Sequence, residues 1–241
     1  MLKNKEDLIQ NLRDYYERSL DILHEFGGPS VYFHTQCIRE KKQNFLADRH
    51  IELIYATLTA WGMHRMGDPK KTKAKLVEFD DFKSSILQNK QVFEDLRHHK
   101  LEDISHDEYT HIIDGLRIPY NTLKVSISKA TIVANSKTLA HILPDLIPPI
   151  DRKHTVRFFT QEYRNFFREN GKYKDLTLPS DKNSQFVLFK NVCCEIKNLM
   201  DECDLKIFEL NENTFNTSYL KIIDNMIIAY IKNVPKPTEP L

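Results

Sequence analysis

The chain predicts an all-α fold, and three observations carry that expectation. Among its 241 residues only 6 are glycine and 10 proline, and long stretches contain neither. That leaves little material for the tight turns of a sheet protein. Apolar residues recur near a 3.6-residue period in several long segments. Recognisable start and stop signals bracket those segments. With 41% hydrophobic and 29% charged residues, the chain has the balance of a folded rather than a disordered protein. Residues 1–234 read as a single helical domain, with room for two lobes and a cleft between them, and residues 235–241 as a disordered Pro-rich tail.

The elements follow in order. Leu8, Leu12, Tyr15, Leu20, Leu23 and Phe26 share one helical face, so residues 4–26 form the first helix. Gly27-Gly28-Pro29 breaks it, and Ser30 caps a second helix opening on VYFHTQCI. Ile51 to Met63 is apolar on most faces, the pattern of a buried central helix, and Gly67-Asp68-Pro69 ends it. A basic linker with Lys70, Lys71, Lys73 and Lys75 precedes helices near 79–89 and 91–98. Ser105 and Glu108 have the spacing of a capping box for a helix through Gly115. Pro119 starts a helix reaching about Thr131, although Leu123, Val125 and Ile127 also alternate as a strand would. Val133 to Ser136 is a hairpin, and Lys137 to Leu143 the helix after it. Pro148-Pro149 is a rigid stop. Arg152 to Arg168 is amphipathic, with Val156, Phe159, Tyr163, Phe166 and Phe167 inward. A polar loop over 171–183 leads to helices at Gln185–Glu202 and Ser218–Lys232.

Composition narrows the function classes. Of the 4 cysteines, Cys193 and Cys194 are adjacent and Cys37 and Cys203 lie far off in sequence, so neither a disulfide frame nor a C-x-x-C metal site is expected. His98 and His99 lack a metal-ligand spacing, so no metal and no cofactor are expected. The opening MLKNKEDLIQNL has no apolar stretch of signal-peptide type, and no apolar run approaches the ~20 residues that span a bilayer. These features predict a reducing cytoplasm without a membrane partner; a monomer is the expected state, although the sequence does not say what oligomer forms.

Net charge is +1, so any nucleic-acid footprint must be local. One segment supplies it. Between Pro119 and Arg168, Lys124, Lys129, Lys137, Arg152, Lys153, Arg157, Arg164 and Arg168 face only Asp145, Asp151 and Glu162. Phosphate is the partner such a cluster fits, although a solvated helix face has the same composition. Within it stands Ile147-Pro148-Pro149-Ile150-Asp151-Arg152-Lys153-His154. Asp151 alone reads as a helix N-cap. No Glu or Gln completes a capping box at His154, and the surrounding cations exceed what a cap requires.

VANSKTLA followed by IPPIDRKHTVR resembles the hairpin and catalytic turn of the helix-hairpin-helix DNA glycosylase superfamily, over about thirty residues. Lys137 and Thr138 take the family's lysine and threonine positions, and Asp151 its aspartate. IELIYATLTAWGM looks like the buried helix that helps form the base pocket. The hairpin positions read Ala134, Asn135 and Ser136 where the family is usually glycine-rich, and the spacing from Lys137 to Asp151 is short. The resemblance implies a helix-hairpin-helix glycosylase-like helical fold acting on double-stranded DNA that carries a modified or damaged base. Asp151 would be the catalytic carboxylate. Lys137 would be the nucleophile of an additional abasic-site lyase activity, or a phosphate contact. Tyr32, His34, Trp61 and His64 would wall the pocket for a flipped base. Lys129, Asn135, Ser136, Arg152, Lys153, His154 and Arg157 would hold the DNA. Members that act on glucosylated hydroxymethylcytosine in phage DNA make that base a candidate by analogy. The other readings are a helical DNA-binding module without catalysis and an interaction partner encoded in a defence operon.

Overall fold

The computed structural model describes residues 3–24, 27–65, 76–127, 131–168 and 171–234. They are mostly helical, and the only bridges between extended segments are Leu76 with Ser126 and Phe167 with Tyr173. In chain order the helices are α1 (Lys3–Gln10), α2 (Leu12–His24), α3 (Pro29–Gln43), α4 (Asp48–Ala60), α5 (Phe79–Leu87) and α6 (Lys90–Leu96). Then come α7 (His106–Gly115), α8 (Arg117–Thr122), α9 (Ile132–Ile142), α10 (Arg157–Thr160), α11 (Lys182–Glu202) and α12 (Tyr219–Asn233). A π-helical turn, Arg152–Val156, leads into α10. The helices α5, α6, α7, α11 and α12 lie close to where periodicity and caps put them. Ser105 Oγ accepts from the Glu108 amide at 3.2 Å and Ser218 Oγ from the Lys221 amide at 3.2 Å, so each opens its helix.

Two helices form the centre. In α9 every residue except Lys137 is buried, and in α12 the run from Leu220 through Ile227 is buried too. A helix apolar on all sides belongs in the core. Helix α4 packs against α3 and α9 but keeps Glu52 in solvent, so it is amphipathic rather than central. The π-helical turn lies against α12, and α2 packs against α12 as well.

Several expectations change. The first helix is two, α1 and α2, parted at Asn11, whose Nδ2 bonds the Asp7 carbonyl and carboxylate. Ser30 lies inside α3. The cap is Gly28, at φ +71°, with Pro29 in the first turn, where its missing N–H costs nothing. Helix α8 stops at Thr122, and the alternating Leu123–Val125 is extended, with the Val77 amide on the Val125 carbonyl at 3.0 Å. Strand-like alternation outweighed helix propensity there. Residues 152–168 are not one helix. They break into the π-helical turn, α10 and a 3-10 turn at Tyr163–Asn165.

No hairpin exists at Val133–Ser136, which lies inside α9. Asn135 and Ser136 suggested a turn, but the apolar flanks on both sides bury the segment. The Asn135 amide nitrogen and the Ser136 hydroxyl are satisfied in place: Asn135 Nδ2 donates to the Tyr120 carbonyl at 2.8 Å, and Ser136 Oγ reaches the Val133 carbonyl at 3.2 Å, while Asn135 Oδ1 is buried without a partner. The Gly67-Asp68-Pro69 stop, the lysine run from Lys70 to Lys75, Lys129 and the tail 235–241 lie outside the described residues.

Candidate active site

Asp151 is delivered by a short extended run. Pro148, Pro149 and Ile150 cannot continue α9, and buried Ser136 anchors them: its Oγ accepts from the Ile150 amide at 3.2 Å and lies 3.3 Å from the Ile150 carbonyl. The Asp151 carboxylate then caps the π-helical turn. Its Oδ1 accepts the Lys153 amide at 2.7 Å, the His154 amide at 3.2 Å and the His154 ring Nδ1 at 3.1 Å. The wide turn closes where the Val156 amide meets the Asp151 carbonyl at 2.9 Å. Turns of this kind recur at functional sites.

With Oδ1 committed, Oδ2 is the less engaged oxygen. It stands 3.7 Å from Lys137 Nζ, an ion-pair distance longer than a hydrogen bond. Burial pushes the Asp151 carboxyl up. The hydrogen bond from His154, the charge of Lys137 and the Lys153 amide outweigh it and hold the group well below the usual carboxylate range. Asp151 is therefore an anion at every physiological pH.

Lys137 and Asp151 open onto a cavity of about 400 Å³, a volume within the range of small-ligand pockets. Trp61, Phe215, Leu23 and Ile228 give it apolar walls, and Ser30, His154, Lys221 and Asp224 add polar ones. Trp61 sits at the C-terminal end of α4, with its indole N–H 3.3 Å from the Ser30 carbonyl. Two ammonium groups flank its ring, Lys137 at 5.3 Å and Lys221 at 5.5 Å from the centroid.

Behind Trp61 runs a buried histidine chain. His141 Nδ1 is 2.7 Å from the Lys137 carbonyl, which can only accept, so the proton is assigned to Nδ1. His141 Nε2 then accepts from His34 Nδ1 at 3.0 Å, and His34 Nε2 from the Thr217 hydroxyl at 3.0 Å. Burial lowers both rings, His141 to about 4 and His34 well below its ordinary value, so both are neutral.

The predicted residues divide. Asp151, Lys137, Trp61 and His154 meet at one cavity. Arg152 and Lys153 are exposed on the same turn. His34 supports Trp61 from behind, at 5.5 Å between rings, without lining the cavity. Tyr32 is 56% exposed, and His64 bonds the Thr59 carbonyl at 2.9 Å; neither lines the cavity. Asn135, Ser136 and Arg157 are corrected: all three are buried and cannot reach a DNA backbone. Arg157 instead ties the Phe166 carbonyl at 2.8 Å to the Lys174 carbonyl at 2.6 Å. Phe215, Lys221 and Asp224 were not anticipated. The signal for Lys221 and Asp224 is visible in SYLKIIDNMIIAYIK, where they and Asn225 interrupt an apolar helix at one-turn spacing.

Among the described residues no group of three or more His, Cys, Asp or Glu could hold a metal ion, and no helix is long and apolar enough to cross a membrane. No family model, no curated protein and no solved structure matches this chain.

Proposed function

We propose that the protein is a DNA glycosylase whose cavity receives a flipped base and whose Asp151 carboxylate acts on the sugar behind it. The observation that carries this reading is one anion, Asp151 Oδ2, held at the rim of an aromatic-walled cavity of about 400 Å³. Breaking the N-glycosidic bond sends its electron pair out with the base and builds positive charge on the deoxyribose. A fixed, ionised carboxylate stabilises that charge without reorganising. Trp61 and Phe215 offer flat faces for the base, and exposed Arg152 and Lys153 lie beside Asp151, where a backbone phosphate would pass. The likeness of the Asp151 turn and the Trp61 helix to the helix-hairpin-helix superfamily supports the same reading. Lys137, paired with Asp151, neutralises part of its charge before substrate binds; as a free amine it could instead attack C1′. Glucosylated hydroxymethylcytosine remains one candidate base, alongside uracil, oxidised and alkylated bases.

The test is base release from duplexes carrying each of these bases, scored as abasic sites with and without alkaline cleavage. Wild type should release one of them, and Asp151→Asn should lose about 10²–10³-fold or more in rate while still binding DNA. Strand cleavage without alkali would assign Lys137 as the nucleophile. Binding without release from any duplex would favour a helical DNA-binding module in which Asp151 is only a cap.

A further inference from the structure

We propose that His154 is a second catalytic residue, the general base for the water that attacks C1′, within the glycosylase reaction on which this inference rests. The argument begins with the π-helical turn. It brings the His154 ring back onto the carboxylate three residues earlier, with Nδ1 at 3.1 Å from Asp151 Oδ1. An ionised carboxylate only accepts, so Nδ1 donates and the lone pair of the neutral ring sits on Nε2. The ring lines the cavity beside Asp151 and Lys137. No protein group among the described residues bonds Nε2. That sets His154 apart from His34, His50 and His141, each of which has both ring nitrogens engaged in the core. A carboxylate that orients an imidazole through one nitrogen and leaves the other without a protein partner, on a residue that lines a cavity, is the arrangement of a general base.

The step balances. Water oxygen bonds to C1′ as the C1′–N bond breaks and its electron pair leaves on the base. The water proton passes to His154 Nε2, and the resulting imidazolium is offset by Asp151 before it returns that proton to the departing base. Asp151 thus divides its labour, with Oδ1 orienting the histidine and Oδ2 facing the sugar. The charged groups facing the ring are Asp151, Lys137 from α9, and Lys221 and Asp224 from α12, with Arg152 and Lys153 flanking it on its own turn. Asp151 is ionised throughout the neutral range.

The discriminating variant is His154→Asn, whose amide can keep the donor to Asp151 while removing the acceptor at Nε2. On the duplex that wild type processes, single-turnover release at saturating enzyme should fall about 10²–10⁴-fold. Added imidazole should restore rate to His154→Ala. In wild type the ¹⁵N spectrum should show His154 protonated at Nδ1, a readout independent of turnover. A His154→Asn rate within about threefold of wild type, or a ring protonated at Nε2, overturns this role and leaves the glycosylase reading standing. Absence of release by wild type from every duplex overturns both.

Discussion

Two lysine–aspartate pairs face the same cavity and are built in opposite ways. Lys221 and Asp224 are 2.6 Å apart, and each side chain is 8% exposed. The ammonium also donates to Asn225 Oδ1 at 2.7 Å, and the carboxylate faces the Thr155 hydroxyl at 3.4 Å. Both oxygens of the carboxylate and two of the three ammonium donors are engaged within the protein. Lys137 and Asp151 are 3.7 Å apart and 13% and 28% exposed, without a direct hydrogen bond between them. One pair is closed and the other is left open at the rim. A buried pair is costly to break and has little left to offer a ligand. An open pair contributes less to folding and keeps an anion and a cation available. Asp224 also lies behind the open pair, because Thr155 Oγ1 accepts the Asp151 amide at 3.2 Å. The closed pair therefore helps hold the turn on which the open pair stands.

The comparison breaks most visibly at Lys221. Lys221→Met leaves Asp224 buried and unpaired, and unfolding free energy in urea should drop by about 3–5 kcal/mol. Lys221→Met combined with Asp224→Leu should recover much of that loss, because removing both charges removes the desolvation cost. Lys137→Met, at the open pair, should change stability by no more than about 1 kcal/mol. Equal losses at the two lysines would end the distinction.

Acid sharpens the contrast between the closed interior and the open rim. The folded state keeps His141 neutral down to about pH 4, whereas the unfolded chain takes up its proton near 6.5. Stability is therefore complete above about pH 6.5 and is lost as pH falls toward 4, by about 2 kcal/mol on reaching about pH 5. Asp151 has the same sign but a lower window, since its contribution fades only below the ordinary carboxylate range. Urea midpoints measured between these pH values should fall, and more shallowly in His141→Gln. A flat profile would contradict a neutral histidine chain.

The smallest effect lies outside both pairs. Arg152→Gln and Lys153→Gln should each lower the slope of log affinity against log salt by about 1, uniformly across DNA sequences, without altering thermal stability. Unchanged slopes would place DNA elsewhere on the surface.

Much of the fold was legible because local rules and tertiary packing agreed. Ser105, Ser218 and the apolar period of α11 and α12 mark their helices whatever packs against them. Asp151 was legible as a cap with too many cations around it. The failures share a cause. Asn135 and Ser136 signal a turn only if water is there to receive the chain, and the surrounding core decides otherwise. Arg157 reads as a surface cation until its guanidinium is seen bonding the Phe166 and Lys174 carbonyls. Tyr32 sits in an aromatic run, yet its place on α3 turns it to solvent, while His34 two residues on turns inward. Lys221 and Asp224 were readable as polar residues in an apolar helix. Which cavity they face depended on how α12 meets the Asp151 turn, a long-range contact no local pattern encodes.

The most direct test sets the two carboxylates against each other: single-turnover base release by Asp151→Asn and Asp224→Asn, each with its folding checked, on the duplex that wild type processes. Asp151→Asn should stay folded, bind the duplex and release base about 10²–10³-fold more slowly, while Asp224→Asn should lose stability first and activity only as the fold weakens. Full release by a well-folded Asp151→Asn would contradict the central claim that the open carboxylate does the chemistry.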